Sequence, residues 1–326
     1  MAILQSDFPA LTDDLQKIFV ENAKKKIAAN KGFSIFNVFD TDRLSYDYQV
    51  LHGISGIKRL TSGQDLPRID GEEGDSASWT QEYFGGIVGV TKKMRKFDMY
   101  GKIEGIVKTI TEDAFDKVDQ SLADTLVGGW ATTHEDPYGD TVTSVGPNGL
   151  ALFSATHSTP LNSNTFSNII TDGTNTNPPL SREAIVYWRA QGKKHKDPNN
   201  LSRPINYDTL IVGPELEDEA DRICNSEYLP GTNNNDRNPL KGKIKNIYVW
   251  ERLAAASDGT DSDAYWFMAD SDGMGESLQC LFSERPSLDA PDTVYTNKNW
   301  DYSIDFFYAI GLGFQAYISG SKGDKS

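Results

Sequence analysis

Two cysteines, Cys224 and Cys280, are all that the 326 residues contain. Without a CxxC pair they exclude a disulfide scaffold and a structural zinc site. The four histidines, at positions 52, 134, 157 and 195, are scattered and have no ligand spacing. No apolar run approaches the roughly 20 residues that a membrane helix needs. The start, "MAILQSDFPALTDDLQ", has neither the basic n-region nor the continuous apolar core of a secretory signal, so a cytoplasm is the expected place of synthesis. GxSxG, HExxH, GxxxxGK[ST] and GxGxxG are all missing, which leaves the common hydrolase, metalloprotease, phosphate-loop and dinucleotide chemistries without their signatures. Positive charge is also short: 32 Lys and Arg against 47 Asp and Glu give a formal net charge of -15. A surface of that sign is unsuited to gripping nucleic acid over its whole extent.

What is present is an ordinary folding composition, with 38% hydrophobic and 11% aromatic residues and a mean hydropathy of -0.50. The length suggests about two structural units. The scarce positive charge is bunched in "NAKKKIAANKG", "VTKKMRKFD" and "RAQGKKHKD", as solvated faces or helix C-terminal charges. "SDGTDSDAY" and "DSDGMGES" resemble calcium loops, but Met274 takes a liganding position counted from Asp270 and the distal glutamate is misplaced, so solvated turns are expected.

Leu11, Leu15, Ile18, Phe19 and Ile27 follow helical spacing on an N-terminal arm, and their stripe must lie on something distant in sequence or on another subunit. From Leu44 to Leu60, and again from Ser78 to Met94, the pattern is extended. The polar, acidic link between them completes a hairpin arm, marginal alone and so expected to lie against a partner surface. From Phe97 to Val127 apolar residues step by three or four until Gly128-Gly129, which predicts a helix of about 45 Å. Ser181 is placed to cap a helix, and "YDTLIVGPELEDEADRICNS" reads as a buried strand leading into a helix, with Pro214 and acids at its start. "IKNIYVWERL" and "DAYWFMAD" read as strands. From Trp300 to Ile318 every even position is apolar, which predicts a half-buried strand pair, bent or turned at Gly311 and Gly313.

The segment "GLALFSATHSTPLNSNTFSN", residues 149–168, places Ser154 and His157 three apart. As nucleophile and base they would need an orienting carboxylate and an oxyanion hole, and the sequence offers neither. The structural reading is an ordered loop: Ser154, Thr156, Ser158 and Asn162 bond nearby backbone, and Leu152 and Phe153 anchor it.

Four stretches, in order, resemble the Mu-like major head subunit family of tailed-bacteriophage capsid proteins: "LFSATHS", "YDTLIVGPELEDEADRI", "RNPLKGKIKNIYVWERL" and "WDYSIDFFYAIGLGFQAYISG". The likeness covers most of the chain after about Phe97. It implies an α+β capsid fold with an N-terminal arm at 1–40 and an extended hairpin loop at 41–96. The peripheral domain with its long spine helix would take 97–180 and 288–326, and the axial domain 181–287.

The resemblance further implies hexamers and pentamers closing into an icosahedral shell around double-stranded DNA, in the virion, after assembly in the host cytoplasm. A portal is implied, and a decoration protein is compatible with it. The arm helix begins within about ten residues of Met1, so a separate scaffold protein is expected. No catalytic residue, cofactor, metal or membrane partner is expected. Trp79, Tyr83, Glu72, Glu73, Asp75, Lys92, Lys93, Arg95 and Lys96 are the expected subunit-contact residues, and Lys24, Lys25 and Lys26 the lumen-facing ones. An encapsulin-like cellular shell, and a hydrolase built on Ser154 and His157, are the alternatives.

Overall fold

The computed structural model describes residues 8–51, 59–61, 65–66, 73–97, 100–159, 162–196, 202–228, 236–289, 292–293 and 299–324. Its longest element is helix α4, Tyr100–Val127, 28 residues and about 42 Å at 1.5 Å per residue. It starts three residues later than its periodicity predicts and ends at Val127 as expected. Only one face is buried at Ile103 and Val107, but from Val118 to Val127 every residue is buried, so the helix runs from the surface into the core. That inner half carries Asp119, Gln120, Ser121, Asp124 and Thr125, whose polar groups bond other parts of the chain or the helix itself.

Helix α1, Phe8–Ala29, lies along α4, with Leu15, Phe19 and Ala23 in the shared core, so the arm's apolar stripe is covered by its own chain. A single turn, α2 (Gly32–Ile35), leads into β1 (Asn37–Asp40). The hairpin follows as β2 (Ser45–Leu51) and β3 (Glu73–Thr80). Its expected continuation through His52 and Ile54, and its acidic tip, lie outside the described residues.

The return run does not stay in the hairpin. It breaks at Gln81, and β4 (Glu82–Val90) pairs instead with the long strand β14 (Trp300–Leu312). Helix α3 (Lys92–Lys96) then precedes α4.

Two sheets organise the rest. In the larger, β1 runs parallel to β12 (Leu278–Leu288), and β12 runs antiparallel to β14. β14 also pairs with β4 and with the short β13 (Asp292–Thr293). The alternation seen in sequence buries Trp300, Tyr302, Ile304, Phe306 and Tyr308, then lapses at Ala309, where both faces of the strand become covered.

The smaller sheet has the order β10 (Asn246–Val249), β9 (Thr209–Val212), β11 (Trp266–Ala269), β15 (Ile318–Ser321). Helix α5 (Arg182–Gly192) starts at Ser181, whose hydroxyl accepts Ala184 N–H at 3.2 Å as its spacing predicts. A turn at Pro214–Leu216 leads from β9 to α6 (Glu217–Cys224). Both helices pack into the core beneath this sheet. Short hairpins β5–β6 (Thr133–Glu135, Thr141–Thr143) and β7–β8 (His157–Thr159, Asn162–Phe166) project from the segment between α4 and α5, and α7 (Met274–Ser277) turns the chain from β11 into β12.

One sequence expectation needs correction. The closing strands are not paired with each other: β14 belongs to the larger sheet and β15 to the smaller, joined by the turn Gln315–Tyr317. Sheet membership does not follow chain order elsewhere either. Residues 278–287 already form β12 of the larger sheet, β15 at 318–321 returns to the smaller, and β1 places residues 37–40 of the arm in the larger. Strand partners, which no local pattern encodes, decide these memberships.

Candidate functional site: surfaces and the loop at Ser154

The loop at Ser154 is organised by two asparagines. Asn168, 1% exposed, donates from Nδ2 to Leu152 O at 2.7 Å and to Gln315 O and Ile318 O at 3.2 Å. Its Oδ1 accepts Ser154 N–H at 2.9 Å and faces His157 Nε2 at 3.0 Å. Asn148 Oδ1 accepts Leu150 N–H and Gln315 Nε2–H, so its Nδ2 faces His157 Nδ1 at 3.0 Å. These orientations make Nε2 the protonated nitrogen and Nδ1 an acceptor, a neutral imidazole. Burial, the largest cause, pushes the His157 pKa below its ordinary value. The Ser154 hydroxyl accepts Thr156 N–H at 3.3 Å, and among the described residues no carboxylate bonds the ring. Leu152 and Phe153 are buried beneath it, as expected for an ordered loop. The side chains of Ser158 and Asn162 lie outside the described ones.

Asp270, in one of the two stretches expected as solvated turns, accepts the backbone N–H groups of Asn206 and Asp272. Among the described residues no group of three or more His, Cys, Asp or Glu is placed to hold a metal ion.

The expected contact residues separate into different environments. Trp79 is only 8% exposed. It stacks on Tyr46 (5.9 Å between ring centroids) and Tyr48 (5.3 Å) and packs on Leu281 and Ala309, so it seats the hairpin base on its own chain. Tyr83 is the reverse: 63% exposed on β4, it rests on the Phe307 ring at 4.6 Å and donates to Asp305 Oδ2 at 3.2 Å. The Asp305 charge raises the pKa of its phenol. Two pleats along the same face, Ile87 is 72% exposed, giving an apolar strip beside Gly85 and Gly89.

Lys92, Lys93 and Lys96 are exposed on α3 and have no ion-pair partner among the described residues. The Thr91 hydroxyl caps this helix by accepting Met94 N–H. Phe97 beside them is 65% exposed. The side chains of Arg95 and Glu73, and all of Glu72, lie outside what is described; Asp75 sits half-buried on β3.

Lys24 and Lys25 are exposed on α1. Lys26 instead pairs with Asp116 of α4 at 3.0 Å, and Arg252 reaches the same carboxylate at 3.0 Å. Asp119, whose pKa is raised chiefly by burial, accepts Gly32 N–H at 3.0 Å one turn further on. The arm is thus latched to the long helix and to the 3-10 turn Glu251–Ala254. Asn148, Asn168 and Asp116, on which these arrangements depend, have no local sequence signature.

The family model for phage capsid proteins matches residues 76–318. Among solved structures, the capsid of Myoviridae phage XM1 is similar at 10% identity and a TM-score of 0.50, covering 89% of this chain and 90% of that one. The procapsid of bacteriophage JBD30 is similar at 14% identity, a TM-score of 0.46, and 96% and 75% coverage. A virus-like particle from Pyrococcus furiosus is similar at 9% identity, a TM-score of 0.48, and 95% and 98% coverage. No curated protein matches the sequence.

Proposed function

The chain belongs to the phage capsid protein family, and from that premise we propose that it is the major head subunit of a tailed phage. Copies join as hexamers and pentamers into a closed icosahedral shell around double-stranded DNA. The observation that carries this reading is the family match over residues 76–318, three quarters of the chain. The larger sheet with α4 acts as the peripheral domain, the smaller sheet with α5 and α6 as the axial domain, and β2–β3 as the extended loop. Kinship with the Mu-like head subunits rests on the four sequence stretches alone.

In this reading Tyr83, Ile87 and the lysines of α3 face a neighbouring subunit, with Glu72, Glu73 and Asp75 of the neighbour's hairpin opposite Lys92, Lys93, Arg95 and Lys96. Lys24 and Lys25 face the lumen, and Lys26 holds the arm. A scaffold protein directs closure and a portal admits the DNA. His157 and Ser154 work as a brace, with no turnover.

Expression of the chain followed by electron microscopy tests the proposal, with rings, sheets or closed particles built of repeated copies as the expected result. A chain that stays monomeric at high concentration overturns it. Hydrolysis of ester or peptide substrates that His157→Ala abolishes would replace it with the enzyme reading. Particles that enclose a specific cellular protein would replace the phage head with a cellular shell.

A further inference from the structure

Charge on the smaller sheet is sorted by end. Strands β9 and β10 run parallel, with Thr209 level with Asn246 and Val212 with Val249, and β11 runs against them, with Trp266 level with Val212. One end therefore gathers the residues just before β9 and β10. The other gathers those just after β9 and β10 and just before β11. Across strands only four residues long, about 10 Å, these two ends have opposite sign.

At the first end stand Lys193, Lys194 and Lys196, in the turn where Gly192 O accepts the N–H of His195 and Ile205 on the way into β9, and Lys243 ahead of β10. All four are exposed, and none has an ion-pair partner among the described residues. Of the carboxylates nearby, buried Asp208 is held by Lys245, Ser271 N–H and the Ser271 hydroxyl, and Asp270 by two backbone amides, while Asp272 after β11 stays exposed beside Lys245.

At the second end Glu215, Glu217 and Asp218 follow β9, Glu251 follows β10, and Asp261 and Asp263 precede β11. All are exposed or half-exposed. The cations at this end are engaged: Arg252 with Asp116 and Asp119, and Lys322, which follows β15, over the Trp130 ring at 5.3 Å.

We propose that these two ends are the complementary halves of one head-to-tail contact between copies of this chain, the lysine end of each subunit meeting the acidic end of the next. The inference rests on the shell reading and assigns the residues that set the order of subunits within a ring. A second copy satisfies both ends at once, which a nucleic acid does not, because phosphate attracted to the lysines meets six carboxylates on the same small unit. A heterologous contact of this kind closes into a ring when its rotation closes. Its charges contribute encounter rate and register more than affinity.

Three variants test it, each checked for folding by circular dichroism. One reverses the lysine end (Lys193→Glu, Lys194→Glu, Lys243→Glu). One reverses the acidic end (Glu215→Lys, Glu217→Lys, Asp218→Lys). The third combines all six changes. Each triple variant alone should lower the yield of rings and shells about tenfold or more, because like charges then face each other. The combined variant should recover assembly. Co-expressed triples should build alternating rings, which close with six members and cannot close with five.

A folded triple variant that assembles as the wild type does overturns the proposal, as does a folded combined variant no better than the triples. Should a triple fail to fold, the corresponding Lys→Gln and Glu→Gln variants must still lose assembly, and normal assembly by them overturns it too. Lysine-end variants whose shells are normal but retain less DNA assign the lysines to nucleic acid instead. Wild-type protein that stays monomeric sinks the shell reading along with this one, whereas wild-type shells with unaffected triples sink this one alone.

Discussion

Gln81 and Ser283 share a hydrogen bond that holds the hairpin to the larger sheet. A bulge takes Ser283 out of the β12–β14 ladder, and its N–H donates to Gln81 Oε1 at 2.7 Å. Gln81 Nε2 in turn donates to Arg43 O at 2.9 Å, and its own N–H donates to Leu44 O. One buried side chain thus joins both hairpin strands to β12 at the point where the return run changes partners. Gln81→Ala leaves Ser283 N–H without a partner and should cost about 1–3 kcal/mol. Urea unfolding of the free subunit measures it, and a loss under half a kcal/mol contradicts the assignment.

Gly311 lies beneath the Trp79 ring, where an added Cβ would stand inside the ring's van der Waals surface. Gly311→Ala should therefore displace Trp79 and destabilise the subunit by about 1–3 kcal/mol through overpacking. Trp79→Ala empties that space, so the two changes together should cost less than their sum. Additive losses in a double-mutant cycle would show that the ring and the glycine are not in conflict.

His157 supplies a pH signature. Its folded pKa is depressed by burial, so below the unfolded value of about 6.5 the unfolded chain binds the proton more readily. Stability from this group is complete above that pH and declines as pH falls toward the folded pKa. His134 is shifted in the same direction by burial and adds a like contribution. The gap in melting temperature between wild type and His157→Gln should consequently narrow from pH 7.5 to pH 6. A constant gap refutes the neutral, braced imidazole. Asn168→Ala, which strands three carbonyls, His157 and Ser154 N–H, should cost more than either His157→Ala or Ser154→Ala.

The α3 lysines offer a prediction about assembly with no folding penalty. Replacing Lys92, Lys93 and Lys96 by Gln should leave the subunit's melting temperature within a degree or so, since these exposed charges contribute little to stability. Empty shells from this variant should form poorly or fall apart at low salt. Normal empty shells that retain less DNA would move the cluster to the lumen.

The sequence revealed elements more readily than partnerships. Helix α4 was legible because Ile103, Val107, Ala114 and Val118 keep helical period up to Gly128-Gly129, and Ser181 because a cap is a local bond. β14 was legible as far as Tyr308, while one face stays covered and the other stays wet. The break at Gln81 was not, since Thr80-Gln81-Glu82 contains no glycine or proline and the change of partner is set by a bulge some 200 residues away. Nor was the role of Asn168: an asparagine in a polar loop looks alike whether it faces water or three buried carbonyls. Nor was the setting of Trp79, expected at a neighbour and found covered by Leu281 and Ala309 of its own sheet.

Because β15 pairs with β11 at the far side of the smaller sheet, Trp266 to Ala269 keep an open edge until Ser321 has been made and has folded back. During translation that sheet is an unfinished surface, and the contacts that bridge the two sheets, Asn168 to Gln315 and Ile318 among them, do not yet exist. Until that pairing forms, the β11 edge presents unpaired N–H and C=O groups on which a strand of another chain could dock, so Ile318 to Ser321 act as the cover that keeps this sheet from adding a foreign strand.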